Sequence, residues 1–176
     1  MKKLIFILFF IVLCFLPTYA KTLKAGISYT VEDARIESFT GISTKIDMNA
    51  YSKYLVDENY AENNKAQKRG KTKFRNRTLT VFSSGVYAIK YRSIDKKYFY
   101  YDNQGKLKKI DISIGDSYPR KRIAFDANGY LDAVALDVSK NEQFVFDKDK
   151  KLVAHWIGNN CYNEKGELVH TRRVIE

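Results

Sequence analysis

The sequence predicts an all-β protein: an open antiparallel meander of stacked β-hairpins, preceded by a less regular N-terminal part. Three observations support this fold class. A turn signature recurs four times in the second half of the chain, apolar and aromatic residues flank these turns, and tyrosine is abundant while proline is scarce (13 and 2 residues). Turns that recur at short intervals between strand-forming segments are typical of β-hairpins.

The turn signature is an aromatic residue, then Asp or Asn, two polar residues, Gly, any residue and Leu. It occupies residues 101–107, 125–131, 146–152 and 162–168. The Asp or Asn side chain can accept a hydrogen bond from the backbone two residues later, and Gly tolerates the positive φ of a type I turn with a bulge. The predicted structural turn residues are Asp102, Gly105, Asp126, Gly129, Asp147, Asn163 and Gly166.

The third copy departs from the signature because Lys150 stands where the other copies have Gly. A lysine in the left-handed region costs roughly 1 kcal/mol, so a different turn type is an alternative there.

The aromatic residues of the signature lie 24, 21 and 16 residues apart, a spacing that predicts one hairpin per repeat. On a strand, residues two apart share a face. We expect the signature aromatics and the residues two positions earlier to form a ladder on one face of the sheet. We interpret this ladder as core, with a ligand-stacking platform as the alternative. Its members are Tyr101, Phe125, Phe146, Tyr162, Phe99, Ile123, Phe144 and Asn160.

The first copy carries a family resemblance. The run Tyr98-Phe99-Tyr100-Tyr101-Asp102-Asn103-Gln104-Gly105-Lys106-Leu107 resembles the YD repeat of bacterial Rhs-type proteins and is similar to the MORN-like repeat of small bacterial proteins. The resemblance covers about residues 80–176 and implies stacked hairpins. Rhs shells need many repeats to enclose a cargo, so four copies imply a small open sheet used for binding, and no shell.

Residues 1–20 have the pattern of a secretory signal peptide. Lys2 and Lys3 precede an apolar run over 4–16, which is shorter than a membrane span, and small residues at 18 and 20 permit cleavage after Ala20. We therefore expect a secreted or periplasmic bacterial protein, with an uncleaved N-terminal anchor as the alternative. Cleavage would lower the formal net charge of +11 by two.

Residues 21–71 should form a hairpin followed by an irregular or short helical segment, and residues 72–176 the hairpin repeats. The hairpin rests on weak alternation, with a turn at Glu32 and Asp33. Asp47 could cap a short helix, which we expect to lead into an exposed loop over 59–65. The apolar face of that helix would consist of Tyr51, Tyr54 and Leu55.

A basic stripe is the strongest candidate for a binding site. Residues 65–77 contain seven basic residues and no acidic residue. The last four alternate, so on one strand they would share a face about 6.5–7 Å apart. The predicted anionic-surface site is Lys68, Arg69, Lys71, Lys73, Arg75 and Arg77. The alternative is a solvated stripe that protects a sheet edge from aggregation.

The remaining reactive residues do not suggest catalysis. Cys161 is the only cysteine after residue 20, which argues against a disulfide scaffold. It occupies the repeat position of Ala124 and Val145, so we expect packing rather than a catalytic pair with His155 or His170. The segment 147–149 resembles the start of a calcium loop but lacks its Gly and distant Glu. We expect no catalytic residue, no metal and no cofactor.

We therefore expect an exported, non-enzymatic binding or structural protein of the cell envelope that contacts an anionic surface or polymer through the basic stripe. Its partner would be an anionic envelope component or a protein. Peripheral membrane contact is compatible with this charge, whereas cytosolic nucleic acid is not expected after export. The alternative is a protein-interaction module that uses an exposed sheet edge. An envelope hydrolase is less favoured.

Overall fold

One eleven-stranded antiparallel sheet dominates the computed structural model, which describes residues 29–65, 70–82 and 85–172. Each strand pairs with its neighbours in sequence, so the predicted all-β open meander is confirmed. The expected signal peptide lies outside the described residues. The strands are β1 Gly70–Lys73, β2 Arg77–Val81, β3 Tyr87–Tyr91, β4 Lys97–Tyr101, β5 Leu107–Ile114, β6 Arg120–Asp126, β7 Leu131–Asp137, β8 Glu142–Asp147, β9 Leu152–Ile157, β10 Asn160–Tyr162 and β11 Leu168–Thr171.

The four repeat turns share one hydrogen-bond pattern. In each turn the Oδ1 of Asp102, Asp126, Asp147 or Asn163 accepts from two backbone N–H groups, two and four residues later, at 2.8–3.0 Å. Lys150 keeps this pattern with a φ of 65°, so the third copy forms the same turn as the others. The two hydrogen bonds that the Asp147 side chain accepts therefore offset the cost of placing a lysine in the left-handed region.

The predicted aromatic ladder is the core of the sheet. Its members on β4, β6 and β8 are buried, together with residues of β2, β3, β5 and β7 on the same face. Tyr162 and Asn160, which belong to the last repeat, are only partly buried. The buried ladder residues are Phe99, Tyr101, Ile123, Phe125, Phe144 and Phe146.

The predicted N-terminal hairpin is wrong over its described part. Helix α1, Val31–Phe39, occupies the place of the expected turn and second strand. Thr30 and Asp33 form a capping box, in which each side chain binds the backbone of the other residue, and this local signal favours a helix. Ile36 is 60% exposed, so the weak alternation did not mark a buried strand face.

The short helix after Asp47 is confirmed as a 3-10 helix over Met48–Tyr54, in which Asp47 accepts from the N–H of Asn49 at 2.9 Å. The expected exposed loop is partly wrong, because helix α2 spans Tyr60–Lys65. Asn63 in that helix is buried, and its side-chain amide donates to Asp57 at 2.7 Å. The polar sequence of this segment does not predict that contact.

The N-terminal segment is joined to the repeat turns by backbone hydrogen bonds. Ile46 N–H donates to the carbonyl of Gly129 at 2.9 Å, and Asp57 N–H donates to that of Gly105 at 2.9 Å. Tyr54 packs on Phe99 with ring centroids 4.4 Å apart. The described helices thus lie on one side of the sheet, which we name the core face. No helix among the described residues is long and apolar enough to cross a membrane.

Candidate functional site on the open face

The opposite side of the sheet, named here the open face, carries polar and aromatic side chains. Antiparallel register partners share a face, so one row of the open face crosses six consecutive strands. This row consists of Arg120, Asp137, Gln143, Trp156, Cys161 and His170. A depression of about 760 Å³ lies over the first four residues of this row, Arg120 to Trp156, and over residues on β3–β5. The open face therefore has a concave surface that spans several strands.

Asp137 is the centre of an ion cluster in this depression. Its carboxylate accepts from Arg120 Nε at 2.9 Å and Arg122 Nη2 at 3.3 Å, and also from the side-chain amide of Gln143. Burial alone would raise the pKa of Asp137, but the bond from Gln143 and the two guanidinium groups outweigh burial and lower it. Asp137 is therefore an ionised anchor that orients two arginines on β6.

Four aromatic side chains of the depression each have a cation over the ring. Arg172 lies 3.6 Å from the ring centroid of Trp156, the closest approach among the four. The other pairs have cation-to-centroid distances of 4.5–5.4 Å. They are Lys109 over Tyr100, Arg120 over Tyr118 and Lys90 over Tyr98. Such pairs fix long cationic side chains on a rigid aromatic support.

Asp111 lies beside these pairs and is only 7% exposed. Its Oδ1 receives no hydrogen bond from the described residues, although Lys109 Nζ lies 3.4 Å away in ion-pair range. Burial, and then the charge of Asp111, raise the pKa of Tyr100. Tyr100 is therefore a neutral hydroxyl, and the buried Asp111 carboxylate is part of the wall of the depression.

The depression contains charges of both signs, with cations in modest excess. Six cationic and four anionic side chains contribute to the lining, since the Glu142 carboxylate pairs with His155 on the core face. Donors from Arg and Lys therefore lie among acceptors from Asp, and tyrosine hydroxyls can serve as either. This lining can bind a ligand that carries both negative charge and hydrogen-bond donors.

The structure divides the predicted basic stripe. Lys71 and Lys73 pair with Thr80 and Thr78 and belong to the open face. The predicted single strand is wrong because β1 ends at Lys73 and the chain turns back, with the N–H of Phe74 donating to the carbonyl of Arg77 at 2.8 Å. Arg75 is exposed in that turn. Lys68 and Arg69 lie outside the described residues.

Arg77 has a structural position rather than a surface one. It is 3% exposed and points to the core face. Its guanidinium binds Glu62 and donates to Asn63 Oδ1 at 3.0 and 3.2 Å, while its centre lies 4.1 Å from the ring centroid of Phe74. Arg77 therefore holds α2 against the sheet and is excluded from the stripe.

Cys161 is buried, as expected of a packing cysteine. His155 lies on the core face, where it stacks on Phe144 at 3.9 Å between ring centroids, whereas Cys161 lies on the open face beside Trp156. These two residues are therefore on opposite sides of the sheet. Across the described ranges, no group of three or more His, Cys, Asp or Glu residues could hold a metal ion.

Sequence reasoning missed the most informative residues of the site. Tyr98, Asp111, Asp137 and Trp156 occupy strand positions that alternate with core residues, and this alternation was the available signal. Their meeting on one face depends on the register of the five pairings from β4 to β9, which short motifs do not specify.

Comparison with known proteins found no matching family model, no similar curated protein and no similar solved structure.

Proposed function

We propose that this chain is an exported, non-enzymatic binding protein that holds an anionic polymer or surface against its open face. The observation that carries the proposal is the set of four cation–aromatic pairs on the open face, whose four rings all line one depression. Export is part of the proposal because of the signal-like N-terminal sequence.

The basic character of the open face continues beyond the depression. Lys71 and Lys73 on β1 share this face with Lys90 on β3 through register partners on β2. Within the described ranges, none of these three lysines forms an ion pair with a carboxylate. A row of cations that lack such partners attracts an extended anion.

Binding is favoured over catalysis because the central charged groups satisfy one another. Asp137 is occupied by two arginines and Gln143, and the pKa of its carboxyl is lowered, which makes it a poor proton carrier near neutral pH. Such a cluster is suited to fixing arginines in a defined geometry.

The test compares two triple charge reversals of equal net charge. Lys71→Glu, Lys73→Glu and Lys90→Glu alter the open face, whereas Lys106→Glu, Lys148→Glu and Lys165→Glu alter exposed positions at the repeat turns. Binding to anionic polymers and vesicles should weaken with salt for the original protein. We expect about a tenfold or greater loss of affinity for the open-face variant and a smaller loss for the turn variant. Equal losses would contradict the proposal.

A second candidate function is strand addition at the β11 edge, favoured by the exposure of this strand. All four residues of β11 are exposed, including Leu168 and Val169 at 57% and 56%. Exposed apolar edge strands recruit extended partners or further copies. This mode predicts self-association or partner capture that is insensitive to salt and is abolished by Val169→Pro. Partner binding that persists in this variant would contradict it.

A further inference from the structure

We propose that the ligand of the open face is an acidic glycan, a chain of sugar rings that carries carboxylates and free hydroxyls. This inference rests on the proposed function and narrows the anionic ligand to one chemical class. It follows from the buried Asp111 oxygen that receives no hydrogen bond, the mixture of cations and carboxylates in the depression, and the Trp156–Arg172 pair.

The first step concerns the buried carboxylate. Asp111 is 7% exposed, lines the depression and has an Oδ1 that forms an ion pair with Lys109 Nζ at 3.4 Å but receives no hydrogen bond from the described residues. A buried acceptor that receives no hydrogen bond is costly, so a ligand that supplies a donor gains from this position. Phosphate diesters have only acceptors on their phosphates, whereas a sugar hydroxyl is both donor and acceptor.

The second step concerns charge density. The lining contains six cations and four carboxylates, so its net charge is small although its charged groups are many. Nucleic acid and polyphosphate carry dense negative charge and would meet repulsion from carboxylates of the lining such as Asp95 and Asp111. A polymer with one carboxylate per sugar ring, separated by neutral hydroxyls, matches the alternating cations and acceptors.

The third step concerns the geometry at β9. The guanidinium of Arg172 lies over the indole of Trp156 at 3.6 Å, which holds its planar fork at the end of the depression. No carboxylate within the described ranges pairs with Arg172. A held guanidinium is suited to bidentate binding of a carboxylate, and the indole offers an apolar surface to the C–H groups of a sugar ring.

The experiment measures binding of the purified protein to four probes. They are polygalacturonate, the same polymer after reduction of its carboxylates to alcohols, polyphosphate at equal charge concentration, and vesicles containing an anionic phospholipid. Trp156 is the only tryptophan of the chain, so its fluorescence reports on the open face directly. We expect saturable binding of polygalacturonate, at least about tenfold tighter than that of each other probe, with a change in Trp156 emission.

The outcomes separate the two proposals. Polyphosphate or vesicles that bind as tightly as polygalacturonate would overturn the glycan inference and leave the proposed anionic binding intact. Failure of all anionic probes to bind would overturn both. Equal binding of the reduced polymer would show a neutral glycan site and would also overturn the inference.

Two variants sharpen the test. In a purely electrostatic site, Asp111→Asn would strengthen binding of every anionic polymer, because it removes a negative charge. We expect it instead to weaken polygalacturonate binding severalfold while strengthening polyphosphate binding, and a gain for both polymers would overturn the inference. The control is Asp116→Asn, whose exposed side chain lies on the rim. It should change both affinities slightly and in the same direction.

Trp156→Leu is the second variant, and it tests the same inference if Asp111→Asn fails to fold. Measured by calorimetry, its affinity for polygalacturonate should fall about tenfold while that for polyphosphate stays unchanged. Unchanged affinity for polygalacturonate would remove the indole from the site and contradict the inference.

Discussion

Gly129 in the second repeat turn should be far less tolerant of a side chain than Gly166 in the fourth. Both residues have positive φ, 83° and 76°, within the same turn signature. A Cβ at Gly129 would lie 2.6 Å from the carbonyl oxygen of Ile46 and 2.8 Å from Cγ of Met48. A Cβ at Gly166 would meet nothing within 4 Å. The pair Gly129→Ala and Gly166→Ala therefore separates backbone strain from steric conflict.

The magnitude follows from two contributions. Alanine in the left-handed region costs about 1 kcal/mol, and both variants share this cost. At Gly129 the Met48 side chain can shift, but the Ile46 carbonyl belongs to a segment that the Ile46-to-Gly129 hydrogen bond of 2.9 Å holds in place. Relieving that contact costs about 1–3 kcal/mol more, which is the usual cost of overpacking in a protein core. We expect the free energy of unfolding to fall by about 2–4 kcal/mol in Gly129→Ala and by about 1 kcal/mol in Gly166→Ala.

The assay is equilibrium unfolding in urea, monitored by circular dichroism, with the free energy of unfolding extrapolated to water for each variant. Equal losses of stability in the two variants would refute the account, since they would mean that the segment containing Ile46 does not pack against the second turn.

Three further predictions concern single side chains. Lys150→Gly should raise the free energy of unfolding by about 1 kcal/mol, because Lys150 has a φ of 65°, a conformation that glycine adopts at lower cost. A lower free energy of unfolding in urea would contradict this prediction. Arg77→Ala should lower the free energy of unfolding by about 2–4 kcal/mol, because the buried Asn63 loses the guanidinium that donates to it. Arg75→Ala, at an exposed position, should change it by less than about 0.5 kcal/mol. Similar changes in the two variants would refute the structural role of Arg77. The Asp137 carboxyl has a pKa below its ordinary 3.8, so the stabilisation it provides is present above pH 3.8 and is lost as pH falls through the folded pKa. The difference in free energy of unfolding between the original protein and Asp137→Asn, measured in urea from pH 6 to pH 2.5, should therefore shrink in acid. A constant difference would contradict this prediction.

The sequence was sufficient to predict the sheet because its turn chemistry is local. Asp102 and the equivalent residues of the other copies hold their own turns through backbone bonds within four residues, and neighbouring strands then pair in order. The same logic failed at residues 31–39, where a capping box at Thr30 outweighs a weak alternation of apolar residues.

The candidate site was less predictable because it depends on long-range placement. Arg75 and Arg77 appear equivalent in the alternating sequence, yet the turn after Lys73 leaves one exposed and buries the other against Glu62 and Asn63. The row from Arg120 to Trp156 needs the register of four strands to assemble. Composition alone indicated a basic protein, whereas packing determined which cations share a face with aromatic and acidic side chains.

The most direct test of the central claim is a backbone-amide and indole NMR titration of the protein with polygalacturonate. The account predicts chemical-shift changes that concentrate on β3–β9 and include the indole N–H of Trp156, with little change at the repeat turns. Shift changes confined to β11 or to the turns, with the Trp156 signal unmoved, would contradict binding at the open face.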